Sequence, residues 1–547
     1  MRTSDEVRNE YKRWLEKSSH EAVEELKNLS PEEVTERFFQ DLEFGTGGMR
    51  GKIGMGTNRM NIYTITRASR GFARWMNEKY HAPSVAIAHD TRHKSEVFEN
   101  RAATVFAASG VTVHIFDFPA ATPLLSYAVR ELGCSGGVVI TASHNPKEYN
   151  GFKVYTSDGT QAVPAIAEEI TALVKESDFF MDLPEKSEEA RKIPLDLVEA
   201  YRKTVIDLAR AVRDIDEKVK VIYTPLHGTG KYLVPDVLRQ LGHVVIEEPS
   251  QSIPDSDFPT VSYPNPEDRS TYALALELAQ PENADLIIST DPDCDRMGIM
   301  ARSDEEYVFL TGNQIGIMLT EFLLGELSTR LPPNPFIIKT IVSSDMAAAI
   351  AREYGVTVKE TLTGFKFIGE LIEESEKTNS GSFIFGFEES YGYLYGTHVR
   401  DKDAVVSSAL ITLLYSKLKS EGLSIPEYLE MLYDQYGYYS ERLVSKEYDG
   451  IEGIRKIENI MARMRDNPPR SIGENKLEKT LDYLEGIEGL PASNVVSAIY
   501  EGDLKLIVRP SGTEPKIKFY LMASGESKEV AERKLDLLED EVERIVG

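Results

Sequence analysis

Cysteine is nearly absent from this chain, with only Cys134 and Cys294 among 547 residues. Two thiols are too few for a disulfide framework, which excludes the small stapled folds and fits a reducing compartment. Long apolar runs are missing too. No stretch approaches about 18 uninterrupted apolar residues, so a transmembrane helix is not expected. The opening residues Met1-Arg2-Thr3-Ser4-Asp5-Glu6 lack the apolar core of a signal peptide. Positive charge is in deficit, 62 Lys and Arg facing 89 Asp and Glu for a formal net charge of −27. Nucleic acid or an anionic membrane would be repelled by most of such a surface, so neither is expected as a partner. A Gly-x-x-x-x-Gly-Lys-Ser/Thr phosphate loop is also lacking, which removes the nucleotide chemistry built on it. The expectation is a soluble, cytoplasmic protein whose anionic ligands meet local clusters of Arg and Lys.

What is present is a folded chain, 41% hydrophobic and too long at 547 residues for one core. Three or four domains are expected. Residues 5–43 carry Glu, Lys and Leu at helical spacing, and Ser30-Pro31-Glu32-Glu33 supplies an N-cap, a first-turn proline and early acids. This predicts two surface helices ahead of the first domain. Three later segments share one logic: Ser84 to Arg92, Lys218 to Gly228 and Phe336 to Ser344 are β-rich runs that end in polar turn residues before a helical stretch. Strands alternating with helices imply mixed or parallel sheets covered on both faces. Breaks are placed near residue 206, shortly after residue 295 and before Leu310, and near 435 after a helix over 402–420. The charged stretch from Leu183 to Glu189 is read as a surface linker.

Four stretches carry chemistry. Thr141-Ala142-Ser143-His144-Asn145-Pro146 follows the run Gly137-Val138-Val139-Ile140 and reads as a loop at a strand's C-terminal mouth. Open α/β sheets place ligands there. His144 and Lys153 could supply proton transfer and positive charge to Ser143, or the stretch is a turn whose Ser and Asn cap backbone groups. Asp291, Asp293 and Asp295 lie at i, i+2 and i+4 after an apolar strand, so extended geometry would turn all three carboxylates one way. Three converging acids call for a cation, and all-oxygen ligands suit Mg²⁺. An EF-hand is ruled out, because Arg296 and Arg302 stand where it needs Gly and Glu. An aspartyl phosphatase or a solvated acidic turn stays open. Arg296 fits a second anion in the same place. Glu388-Glu389-Ser390 again follows an apolar run, and its carboxylates and hydroxyl suit sugar hydroxyls. Arg509-Pro510-Ser511-Gly512-Thr513 combines a guanidinium, two hydroxyls and an approachable glycine N–H, a set that matches phosphate, unless it is simply a Pro/Gly turn. The cluster Gly45, Gly47, Gly48 follows a helix-like acidic segment and has Arg50 at the last glycine position of a dinucleotide fingerprint. A phosphate-covering loop with Arg50 reaching in is the better reading.

In this order the four motifs resemble the α-D-phosphohexomutase superfamily over nearly the whole chain. Phe44 to Gly51 and Thr57-Asn58-Arg59-Met60-Asn61 look most like its phosphoglucomutase and phosphopentomutase branch. The resemblance implies four domains around a central cleft, three related α/β mixed-sheet units and a smaller C-terminal α+β domain. They are taken as residues 1–205, 206–308, 309–434 and 435–547. It implies a phosphorylated Ser143, a metal held by Ser143, Asp291, Asp293 and Asp295, and catalytic roles for His144, Lys153, Arg50 and Arg296. Sugar contacts fall on Glu388, Ser390 and Lys366, with Glu389 less defined, and the non-transferred phosphate on Arg509, Ser511, Gly512 and Thr513. His227 is given a structural role. The implied reaction interconverts glucose 1-phosphate and glucose 6-phosphate, with Mg²⁺ as cofactor and glucose 1,6-bisphosphate as primer and intermediate. Phosphopentomutase or phosphomannomutase activity is the alternative, and a metal-dependent sugar-phosphate phosphatase a further one. Some branches carry an acid/base histidine two residues after the serine of the sugar motif. Here Gly392 stands in that place, so the second proton-transfer group is left open.

Overall fold

The apolar runs form three mixed sheets on one plan. In the first, Ser84–His89 lies parallel to Thr112–Ile115 and Gly136–Ile140, and Tyr149–Thr156 returns antiparallel beside Gly136–Ile140. Gly48–Lys52 and Arg191–Lys192 form its edges. In the second, Lys220–Thr224 lies parallel to Val244–Glu247 and Leu286–Thr290, and Met297–Ser303 returns antiparallel. In the third, Pro335–Thr340 lies parallel to Thr357–Thr361 and Ser382–Glu388, and Gly392–Tyr395 returns antiparallel. Each sheet therefore has one parallel strand that ends in a loop and doubles back. Those three loops are residues 141–148, 291–296 and 389–391. Gly136–Ile140 and Leu286–Thr290 are buried along their full length, as strands covered on both faces must be.

This computed structural model describes residues 1–45, 47–180, 190–448, 450–487, 489–510 and 516–547. The expected linker from Leu183 to Glu189 lies outside the described residues, as do Ser511, Gly512 and Thr513. The N-terminal segment forms three helices where two were expected: Ser4–Lys17, His20–Lys27 and Pro31–Phe38. Ser19 restarts the chain as an N-cap, its hydroxyl accepting from the Ala22 N–H at 3.4 Å. The predicted cap at Ser30 is a capping box with Glu33. The helix expected over 402–420 runs Ala404–Glu421, capped by Asp403, and is buried over most of its length. It packs on Leu195–Val212 and Val234–Leu241, so one hydrophobic cluster runs from Ala86 to Leu432 through all three units.

The last unit is an antiparallel sheet whose central strands Leu504–Pro510 and Lys516–Gly525 pair with each other, with helices Gly450–Asp466 and Lys528–Val546. Its core is separate. It meets the third unit through a small patch in which Ile341, Val342 and Phe367 face Tyr483, Ile507 and Tyr520, and through Lys505 and Asp345 at 2.8 Å. The expected fold class, α/β units followed by an α+β unit, is the one observed. Among the described residues no helix is long and apolar enough to cross a membrane.

Candidate active site

Ser143 takes φ = +50°, an uncommon backbone state for a serine. Both flanking peptides are held. Its N–H donates to Thr141 Oγ1 at 2.7 Å, and its carbonyl accepts from the Arg92 guanidinium. The turn sends Oγ across to the second unit, where it donates to Asp291 Oδ2 at 2.6 Å, and it lies 3.2 Å from His144 Nδ1. Burial and the cations Arg296, Arg50 and Arg92 hold the His144 imidazole well below its ordinary pKa, so it is neutral.

Asp291, Asp293 and Asp295 are buried with carboxylate oxygens within 4.8 Å of one another. They do not converge by strand alternation. The segment turns, Cys294 sits at φ = +55°, and Asp291 Oδ1 accepts the N–H groups of Asp295 and Arg296 at 3.0 Å each. Cys294 is buried outside the carboxylate group, as expected of it. Burial and its two acidic neighbours raise the Asp291 pKa well above the usual carboxylate range. Asp293 Oδ1 and Asp295 Oδ1 are buried without a hydrogen-bond partner. Converging carboxylates with orphaned hard oxygen atoms are what a divalent cation would satisfy, so the residues fit a metal. The loop is buttressed from 225–230, where the Thr229 N–H and hydroxyl donate to Pro292 O at 2.8 and 3.0 Å. His227 beside it bonds Ile253 O and Thr260 Oγ1 at 2.9 and 2.8 Å, away from the acids.

Cations surround this group. Lys153 Nζ donates to Asp293 Oδ2 at 2.7 Å and to Asp295 Oδ2 at 3.4 Å. Burial opposes its charge, but these two carboxylates outweigh burial and raise its pKa. Thr122 from the first unit also bonds Asp293 Oδ2, at 2.9 Å. Arg50, exposed on the strand Gly48–Lys52, donates to Asn145 Oδ1 at 2.9 Å. Gly48 lies opposite Lys153 and Arg50 opposite Gly151, so Arg50 and Lys153 share a face of the sheet. Arg296 pairs with Glu267 and lies 3.9 Å from Asp295 Oδ1.

The third loop is tied to the second by backbone: Arg296 bridges Gly392, and the Met297 N–H donates to Tyr391 O at 3.0 Å. Glu388 is buried. Burial and Glu388 push the Glu389 carboxyl up to about 7, and Glu389 accepts from Thr340 Oγ1 at 3.3 Å. Ser390 lies partly exposed beside them. The residue that sequence reasoning missed is Lys402. It is buried, and its Nζ lies 3.3 Å from Asp295 Oδ2, 3.4 Å from Asp401 Oδ1 and 4.0 Å from Glu388 Oε1. A Cβ on Gly392 would stand 2.1 Å from Lys402 Cδ, so the absent side chain at 392 is the space that Lys402 fills. The available signal was Arg400-Asp401-Lys402-Asp403, four charged residues directly before an apolar helix, and all four are buried.

Lys366 lies in the first turn of Phe365–Thr378 and is buried. Burial, then Arg509, lowers its pKa to about 8. That coupling brings Lys366 of the third unit into electrostatic reach of Arg509 in the fourth. The other expected phosphate contacts, Ser511, Gly512 and Thr513, are outside the described residues. The structure thus brings the three loops of the first three units side by side, with Arg509 on the fourth.

Comparison with known proteins agrees along the chain. Residues 41–181, 199–304 and 311–436 match the models for phosphoglucomutase/phosphomannomutase alpha/beta/alpha domains I, II and III, and 473–539 the model for the C-terminal domain. A phosphoglucomutase of Staphylococcus saprophyticus is 36% identical over 535 residues, covering 94% of this chain and 96% of that protein. One from Staphylococcus aureus is 37% identical over 529 residues, covering 93% and 94%. Among solved structures, a phosphoglucomutase/phosphomannomutase family protein of Burkholderia thailandensis superposes with TM-score 0.68 at 16% identity, covering 92% of this chain and 97% of its own. The open form of a Paramecium phosphoglucomutase, parafusin, gives 0.67 at 17%, covering 91% and 95%. At such identities these structures speak to the fold alone.

Proposed function

This chain belongs to the phosphoglucomutase/phosphomannomutase family, and from that premise we propose that it interconverts glucose 1-phosphate and glucose 6-phosphate through a phosphoryl group carried on Ser143. It is an isomerase of the phosphohexomutase type, an intramolecular phosphotransferase. The observation that carries the reading of the site is Ser143 Oγ at 2.6 Å from Asp291, within a buried trio of acids with two orphaned oxygens.

In this reading phosphorylated Ser143 gives its phosphoryl group to the free hydroxyl of a sugar monophosphate, and the hydroxyl proton ends on Ser143 Oγ. The 1,6-bisphosphate turns end for end and returns its other phosphate to Ser143. Glucose 1,6-bisphosphate primes an unphosphorylated enzyme. Asp291, Asp293 and Asp295, with Ser143, would hold Mg²⁺, which when bound supplies positive charge to the phosphoryl oxygens. The chain's own residues do the rest. A loose phosphoryl transition state asks chiefly for positioning and neutralisation of charge. Arg50, Lys153 and Arg296 are the cations assigned to the transferred group, and neutral His144 steadies Ser143 Oγ. Glu388 and Ser390 take the sugar hydroxyls. Lys402, an ammonium between Asp295 and Glu388, is the group we assign to neutralising charge at the attacking hydroxyl, at the position left open by Gly392. Arg509, with Ser511, Gly512 and Thr513, and Lys366 hold the phosphate that stays. The division after residues 205, 308 and 434 belongs to the same reading, supported by each sheet falling within one segment apart from Phe309. The break at 205 falls inside the helix Leu195–Val212. A cytoplasmic location fits the two reduced thiols.

The test is a coupled mutase assay with Mg²⁺ and a bisphosphate primer, comparing glucose, mannose and ribose 1-phosphates. Glucose 1-phosphate should turn over fastest. Faster turnover of ribose 1-phosphate would overturn the substrate assignment, and phosphate release that persists in Ser143→Ala would indicate a phosphatase.

A further inference from the structure

Ser143 works only if its hydroxyl stays aimed at Asp291, and the backbone state that aims it is one serine seldom adopts. We infer that Arg92 is the positioning residue for this hydroxyl, acting with Asp90 and Thr141 as a buried brace that fixes the peptides on both sides of Ser143. The inference rests on the mutase reading of the site.

The Arg92 side chain has no solvent exposure. Its Nη1 donates to Pro146 O at 2.8 Å and to Tyr149 O at 3.3 Å, and its Nη2 donates to the carbonyls of Ser143 and Asn145. These guanidinium hydrogen bonds therefore all go to backbone carbonyls of residues 143–149, the loop that carries the reactive hydroxyl and the first residue of the strand after it. Asp90 completes the brace. Its Oδ2 lies 3.2 Å from Arg92 Nε and accepts from Thr141 Oγ1 at 2.6 Å, while Thr141 Oγ1 accepts the Ser143 N–H. Its Oδ1 accepts the Arg92 N–H at 3.0 Å and the Ser95 hydroxyl at 2.8 Å. One carboxylate thus governs both the group that holds the Ser143 N–H and the group that holds the Ser143 carbonyl. Phe258, from the second unit, lies over the guanidinium with 5.0 Å between Arg92 Cζ and the ring centre.

A rigid planar fork is needed for this. Lysine has its donors on a single nitrogen and cannot span carbonyls spread from residue 143 to 149. The role is geometric, so its loss should appear in the rate at saturating substrate, because the contacts that bind the sugar and its second phosphate lie on other units. A misplacement of about 1 Å costs on the order of 10²-fold in rate.

The experiment compares Arg92→Lys and Thr141→Val with the unaltered full-length enzyme, with Mg²⁺ and primer. Far-ultraviolet circular dichroism reports the folded state, and kcat and KM are measured separately for glucose 1-phosphate. Thr141→Val keeps the volume and charge of the site while breaking the brace, so it decides the matter if Arg92→Lys does not fold. The inference predicts kcat lower by about 10²-fold in Arg92→Lys and by at least about 10-fold in Thr141→Val, with KM within about twofold. Unchanged kcat in folded Thr141→Val, or a loss confined to KM, would overturn it. Turnover by the unaltered enzyme tests the mutase reading separately, since its absence would sink that reading before any variant is compared.

Discussion

Substituting Gly392 with alanine isolates the most unexpected feature of the cleft, a lysine stem lying where most residues would place a side chain. The alanine Cβ would fall 2.1 Å from Lys402 Cδ, 2.8 Å from its Cγ and 3.0 Å from Glu388 Cγ. Carbon atoms rest at roughly 3.5–4.0 Å, so the lysine stem must move by about 1.5 Å. It has little room to do so, being buried, with Nζ held by Asp295 at 3.3 Å and Asp401 at 3.4 Å and its charge strengthened by these neighbours against burial. Overpacking of this kind costs about 1–3 kcal/mol of stability. A displaced ammonium at the attacking hydroxyl should cost on the order of 10²-fold in kcat. Glucose 1-phosphate turnover and denaturant unfolding measure the two effects. A double-mutant cycle locates their cause. In a Lys402→Ala background only the 3.0 Å approach to Glu388 Cγ remains, and Gly392→Ala should then cost less than about half of what it costs in the unaltered chain. An equal cost in both backgrounds would refute the steric argument, and normal kcat in the single variant would refute the role given to Lys402.

Lys366 has a pKa lowered to about 8 by burial and by Arg509, so free-enzyme kcat/KM should fall as pH rises through about 8, and Lys366→Met should remove that limb. Stability has the opposite sign. With its folded pKa below its unfolded value, the lysine penalises the folded state below about pH 8, so Lys366→Met should unfold at a higher temperature at pH 7 while turning over more slowly. Adding Mg²⁺ to metal-free protein should raise the unfolding temperature, because only the folded chain brings the three acids together, and Asp293→Asn with Asp295→Asn should abolish the shift. Ser143→Ala should keep the circular dichroism of the unaltered enzyme and lose turnover by several orders of magnitude, since no other hydroxyl approaches Asp291 Oδ2 among the described residues.

Local chemistry along the chain was enough to identify the strands, the loops they open into and the reactive residue types. A β-branched run stopping at Asn-Pro has few alternatives, and three acids spaced by two residues announce a cation. The N-cap at Ser30 and the helix expected over 402–420 are read the same way, because caps and periodicity act over one or two turns. Tertiary structure alone decided the rest. The acids converge through a turn that the Cys294 backbone permits, and Ser19 splits one expected helix into two. Lys402 and Arg92 look like surface charges in sequence, yet each is buried because its partners come from distant segments: Asp295 and Glu388 for the lysine, the carbonyls of 143–149 for the arginine. A buried charge is tolerable only where opposite charge or oriented dipoles surround it, and that depends on contacts made across units, which no stretch of sequence contains.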